Sequence, residues 1–183
     1  KVEFKEIPGF PKNWNIAQSI FIDDEKIANY LILDSIKRGA EAVVLTANKE
    51  FNIEQVFHKI SFKNTLIYFE LKFISESFIL NLKHFFSSKK TSIFYNIDII
   101  GNLAKSGNWF SNFKEDHSTL GKIIAQNPQE NIISVDGTLF QNSGATMIQQ
   151  LAYCLSQVNE YLNHFQNRQF SKNNKFSITF KLS

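Results

Sequence analysis

Short apolar runs of strand length alternate along this chain with amphipathic stretches of helix length, and this alternation limits the fold more than any other feature. Five runs read as strands: AEAVVLTA at 40–47, TLIYFEL at 65–71, TSIFYNIDI at 91–99, NIISVD at 131–136 and FSITFKL at 176–182. The unbroken apolar character of 40–47 predicts a strand buried on both faces, and 131–136 reads as a buried strand. Between them lie helical patterns. From Asp24, residues Ile27, Ala28, Leu31, Ile32 and Ser35 share one face, with Asp23 or Asp24 as cap and Lys37, Arg38 and Gly39 closing the helix. A short helix is expected over 53–59, and Phe78, Ile79, Leu82, Phe85 and Phe86 form a second stripe. A helix near 119–125 and a long one over 145–165 follow. The long one is expected to bury Ile148, Leu151, Ala152, Leu155, Val158 and Leu162.

Strands that alternate with helices need crossover connections, so the sheet is mostly parallel and the fold class is α/β. Two architectures satisfy this: an open doubly wound sheet, or an incomplete (β/α)8 TIM-type barrel of parallel-stranded (β/α) repeats with about five strands present. Residues 1–23 hold two of the three prolines and no periodicity, and read as an extended lead-in. Residues 24–183 read as the partial barrel domain. The last strand has no helix after it, so this domain is expected to be truncated at its C-terminal end.

Composition removes several function classes. A hydrophobic share of 43% with 20% charged residues is that of a folded globular domain. The net charge of +3 comes from acidic residues interleaved with lysines, without a basic block for a phosphate backbone, so no nucleic-acid partner is expected. No apolar run reaches the roughly 18 residues of a membrane span. Cys154 is the single cysteine, which excludes an internal disulfide and fits a reduced, cytoplasmic setting.

In either architecture chemistry belongs at the C-terminal ends of the strands, here 47–50, 72–75, 96–101 and 136–142. Asp136 is the most suggestive residue, a carboxylate at a strand exit. Its loop has no histidine, serine or second acid between Asp136 and Asn142, so any catalytic partner must come from another strand end. A carboxylate that fixes its own loop's backbone is the favoured reading. The stretch EDHSTLG at 115–121 fails the Asp-x-His-x-x-Gly spacing of cobalamin proteins, because Asp116 adjoins His117 and Gly121 lies one place too far. His117 is therefore expected at the surface. His58, His84 and His164 lack a second ligand at helical spacing, and Cys154 reads as a buried inert thiol. No phosphate-binding glycine motif is present. Trp109 and Phe110 in GNWF, without basic neighbours, read as an apolar plug.

The stretch 133–162, ISVDGTLFQNSGATMIQQLAYCLSQVNEYL, resembles the methylmalonyl-CoA mutase family. Catalytic chains of that family carry Gly-Tyr-His-Met-Gln-Glu-Ala-Gly-Ala between a strand and a helix. Gly137, Gln141, Gly144 and Ala145 match it, as do Gln149, Leu151, Ala152 and Tyr161 in the helix. WNIAQ at 14–18 is similar to the family's Trp-x-Ile-Arg-Gln, with Ala17 in place of arginine, and 29–45 is similar to its first helix and strand.

The family's Tyr-His pair falls on Thr138 and Leu139, and its Met and Glu on Phe140 and Asn142. That histidine serves the thioester carbonyl, and leucine has no donor to offer it. The resemblance therefore implies a degenerate active-site loop, Asp136, Gly137, Thr138, Leu139, Phe140, Gln141 and Asn142, with no catalytic, cofactor-binding or metal-binding residue on this chain. It further implies the small subunit of an adenosylcobalamin-dependent isomerase that interconverts methylmalonyl-CoA and succinyl-CoA. Such a subunit forms a heterodimer with a catalytic large subunit, and the partner binds the adenosylcobalamin. A stand-alone small α/β enzyme and a CoA-ester binding module using the same loop are the alternatives.

Overall fold

A computed structural model of the chain describes residues 14–63, 65–89, 91–128 and 130–165, and the backbone of 176–179. The lead-in over 1–13, the polar loop over 166–175 and the last residues of the final apolar run lie outside the described residues. The elements run β1 (Ala17–Phe21), α1 (Glu25–Lys37), β2 (Ala42–Ala47), α2 (Ile53–Val56), β3 (Leu66–Leu71), α3 (Glu76–Phe86) and β4 (Ile93–Ile97). Then come α4 (Ile99–Ser106), α5 (Phe113–Gln126), β5 (Asn131–Asp136), α6 (Thr138–Asn142), α7 (Met147–Phe165) and β6 (Phe176–Thr179).

All six strands pair in parallel in the order β1-β2-β3-β4-β5-β6. This strictly sequential order is the progression of a (β/α) barrel; a doubly wound sheet reverses direction at a switch point. Burial agrees. Val43, Leu45, Ala47, Ile67, Phe69, Ile93, Tyr95 and Ile97 are buried. Their neighbours Val44, Thr46, Tyr68, Phe94 and Asn96 are only half-buried. β2, β3 and β4 thus have one closed face and one more open face, which corrects the expectation of burial on both faces for 40–47. In β5, by contrast, Ile132, Ile133, Ser134 and Val135 are all buried, as expected for a buried strand. On the open face Tyr68 stacks on Phe94 with ring centroids 4.4 Å apart. On the closed face Phe69 stacks on Tyr95.

The sixth strand, β1, lies inside the segment read as a lead-in. Only Ile20 of its five residues is buried, as suits an edge strand, so its sequence carries no apolar run to reveal it. Local chemistry sets most helix starts. Asp24, Asn52, Ser75, Asp98 and Asn112 each cap a helix by accepting a backbone N–H within its first turn. Thr146 and Gln149 form a reciprocal capping box before α7. Several helices differ from expectation, among them α6, which forms within the stretch read as a loop. Helix α4 was hidden because its cap, Asp98, sits inside an apolar run; α5 begins at Phe113, six residues early; and α2 is a single turn.

The largest correction concerns α7. Ile148 is 82% exposed, and Leu151, Ala152, Leu155 and Leu162 are exposed as well, with Val158 half-buried. The buried stripe is instead Gln150, Cys154, Gln157, Tyr161 and Phe165. The apolar stripe lies on the flank turned away from α5, because His164, on the other flank, stacks on His117 of α5 at 4.3 Å between ring centroids. Helix α1 behaves likewise. It buries Ala28 and Ile32 and leaves Ile27 and Leu31 exposed.

Candidate functional site at the strand exits

The exits of β3, β4 and β5 converge on a cavity of about 190 Å³. Glu70 lies on β3 with Lys72 just after it, Asn96 on β4 with Asp98 just after it, and Asp136 ends β5, while Thr138 and Leu139 close one side. The exits expected at 72–75, 96–101 and 136–142 therefore do meet, whereas none of residues 47–50 lines this cavity.

Asp98 is its hub, and sequence inspection alone passed over it. The β4–β5 register shifts between Phe94 and Ile97, and Asn96 adopts φ 48°, a left-handed conformation that asparagine tolerates. The irregularity sits just before the point where Asp98 joins strand to helix. Oδ1 of Asp98 accepts the Gly101 N–H at 2.8 Å, the Gln157 amide at 2.5 Å and the Tyr161 hydroxyl at 2.7 Å. Oδ2 accepts the Asp136 N–H at 3.2 Å. Burial pushes the Asp98 carboxyl above its ordinary value, and the Asp136 charge adds to this, against the pull of the hydrogen bonds from Gly101, Tyr161 and the Asp136 N–H. Tyr161 also accepts the Ile100 N–H at 3.0 Å, and burial followed by the Asp98 charge raises its phenol well above the usual range. A β-carbon on Gly101 would stand 2.1 Å from Asp98 Oδ2, so only glycine permits this approach.

Asp136 turns to its own loop: Oδ1 accepts the Thr138 N–H at 3.0 Å and the Thr138 hydroxyl at 2.5 Å. Gly137 is buried, and its carbonyl accepts the Gln150 amide of α7 at 2.9 Å. The loop then winds into α6. Phe140 packs on Tyr153 at 5.0 Å between centroids, while Leu139 presents an alkyl group to the cavity. The Gln141 Oε1 is buried without a hydrogen-bond partner. Asn142 ends α6, and Gly144 at φ 90° makes the left-handed turn into α7 that glycine allows.

The remaining candidates take structural places. His117 is 6% exposed, not at the surface as expected: its Nδ1 lies 2.8 Å from the Phe113 carbonyl, and its ring sits among Trp109, Phe113 and His164. Its neighbour Asp116 is buried and accepts the Phe110 and Ser111 N–H groups. Trp109 and Phe110 pack against the core. Cys154 is buried, and burial, then the charges of Asp136 and Asp98, raise its thiol. His58 lies in the turn after α2 and His84 on α3. Among the described residues no group of three His, Cys, Asp or Glu side chains could hold a metal ion, and no helix is long and apolar enough to cross a membrane.

Residues 52–182 match the family model for methylmalonyl-CoA mutase. The chain belongs to the methylmalonyl-CoA mutase family. The match contains the whole 133–162 stretch and the three strand exits around the cavity, and begins after the similar segments at 14–18 and 29–45. Comparison with curated individual proteins gives no match. The family is associated with cobalamin in general. Leu139 offers the cavity no hydrogen-bond donor, and the His117 ring is enclosed by aromatic neighbours with Nδ1 against a carbonyl.

Proposed function

We propose that the chain is part of the small, non-catalytic subunit of an adenosylcobalamin-dependent methylmalonyl-CoA mutase, working in a cytoplasmic heterodimer with a catalytic large subunit. The observation that carries this reading is Leu139. It lines the cavity at the position where the resemblance expects a histidine, and an alkyl side chain can neither hold nor polarise a thioester oxygen. The cavity supports the same reading. At about 190 Å³ it lies below the roughly 300 Å³ at which drug-sized ligand pockets begin. In this proposal the partner binds adenosylcobalamin and isomerises methylmalonyl-CoA and succinyl-CoA. This chain contributes a folded barrel segment and interface.

Co-purification tests the partnership. The tagged chain, expressed in its source cell, is expected to bring down a homologous larger chain that carries Tyr-His in the equivalent loop. Recovery of the chain alone, at native expression and low salt, would count against the proposal.

The stand-alone enzyme gains one supporting observation: Asp98 supplies, from another strand end, the second carboxylate that Asp136 needs. Against it, all four hydrogen bonds into Asp98 come from fixed groups of the fold, which makes Asp98 a structural acceptor.

A further inference from the structure

The more open face of β3 and β4 changes character along its length. Tyr68 and Phe94 stack on it as an aromatic pair, and two residues further on the strands carry Glu70 and Asn96. Asp98 follows, with Ser134 and Asp136 on the neighbouring β5, and all of these polar residues line the cavity of about 190 Å³. Barrel interiors are filled mainly by bulky branched side chains. At these strand exits the lining is polar instead.

Several of these groups have no use within the fold. Ser134 is 6% exposed and lines the cavity, yet among the described residues its hydroxyl has no hydrogen-bond partner. A buried hydroxyl left unpaired is costly, and its retention calls for a group that completes it. Asp136 uses Oδ1 for Thr138 and leaves Oδ2 without a partner among the described residues. The Asn96 carboxamide is likewise unpaired there, on a residue held at a left-handed φ of 48°. Further out, the exposed Lys72 and Lys105 enter no ion pair among the described residues, and Glu70 accepts only the Thr46 hydroxyl, at a long 3.5 Å.

We propose that the cavity binds a small zwitterion of the amino-acid class, its ammonium held by Ser134, Asp136 and Asp98 and its carboxylate turned to Lys72 and Lys105. The charges are sorted by depth. The half-buried carboxylates and the buried Ser134 hydroxyl form the inner part and accept N–H donors, while the exposed lysines at the mouth donate to an anion. Asp98 contributes through Oδ2, which accepts only the Asp136 N–H, at 3.2 Å. A simple amine leaves the lysines facing a cation, and a simple acid meets two carboxylates. A ligand that carries both charges satisfies both ends. The site is built by this chain alone and stands whether or not the chain serves a catalytic partner.

The test titrates the full chain with glycine, β-alanine and γ-aminobutyrate, a series that lengthens the gap between the two charges, and follows the backbone amides by NMR. Ethylamine and propionate, each carrying one of the charges, are the controls. At least one of the amino acids is expected to shift the Ser134, Asp136 and Thr138 amides saturably, and to bind at least about tenfold more tightly than either control. Ser134→Ala is expected to weaken that binding about tenfold, the worth of one hydrogen bond to a charged group. Its thermal midpoint is expected to stay level or rise, because the hydroxyl it removes pairs with no protein group. Replacing both lysines, Lys72→Gln with Lys105→Gln, is expected to erase the preference for the amino acid over ethylamine. No saturable shift with any of the amino acids, a control that binds as tightly, or Ser134→Ala binding as the wild type does would each overturn the proposal. So would a sharp fall in the Ser134→Ala midpoint, which would give the hydroxyl a structural partner.

Discussion

Gln157 of α7 donates its amide to Oδ1 of Asp98 at 2.5 Å, so the helix is docked to the β4 exit by a polar contact on its buried face. Gln150, two helical turns before it, and Tyr161, one turn after it, make the same kind of contact with Gly137 and Asp98. The helix thus packs through hydrogen bonds to the strand exits, with its leucines on an outer flank.

This reversal gives a paired expectation. Gln157→Leu removes a donor from a partly enclosed carboxylate and is expected to cost about 1–3 kcal/mol. Leu155→Gln, on the exposed flank, is expected to stay within about 0.5 kcal/mol in the isolated chain. Urea unfolding of both variants checks the pair, and a larger loss from Leu155→Gln would show that the apolar stripe is the packed face after all.

Gly101→Ala places a methyl group where Asp98 Oδ2 now lies, 2.1 Å away. Either the carboxylate shifts and its hydrogen bonds break, or α4 moves off the sheet. The expected loss is at least about 1–3 kcal/mol, read as a lowered thermal midpoint. Gly144→Ala, which meets no atom within 4 Å, is strained only by its backbone conformation and is expected to cost less.

Asp116→Ala tests whether the Asp-His pair belongs to structure. The buried carboxylate accepts the Phe110 and Ser111 N–H groups at 2.8 and 3.0 Å, and its loss leaves both donors unpaired. A destabilisation of about 2–4 kcal/mol is expected, from two charge-assisted hydrogen bonds. Trp109 packs beside this turn, so its fluorescence reports the unfolding.

The parallel sheet was legible because crossover connections follow from alternating apolar runs and helical stripes, and the family because the 133–162 stretch keeps Gly137, Gln141, Gly144 and Ala145 in order. What the sequence concealed has physical causes. β1 buries only Ile20, too little for an apolar pattern, and α4 starts inside an apolar run. The α7 stripe misled because periodicity identifies an apolar flank without saying what faces it; here Gln150, Gln157 and Tyr161 have partners at the strand exits that outweigh it. Asp98 and the His117–His164 stack join residues far apart in sequence, and only the fold brings them together. The loop 136–142 was located by the resemblance, while its companion acid at the β4 exit had no motif to mark it.

The account rests on Leu139 in place of a catalytic donor, and the most direct measurement is interconversion of methylmalonyl-CoA and succinyl-CoA by the pure full-length chain supplied with adenosylcobalamin. No turnover above the cofactor-only background is expected from the chain alone, with activity appearing only when the catalytic homologue is added. Turnover by the pure chain alone would contradict the account, and would send the search for its chemistry back to Asp98 and Asp136.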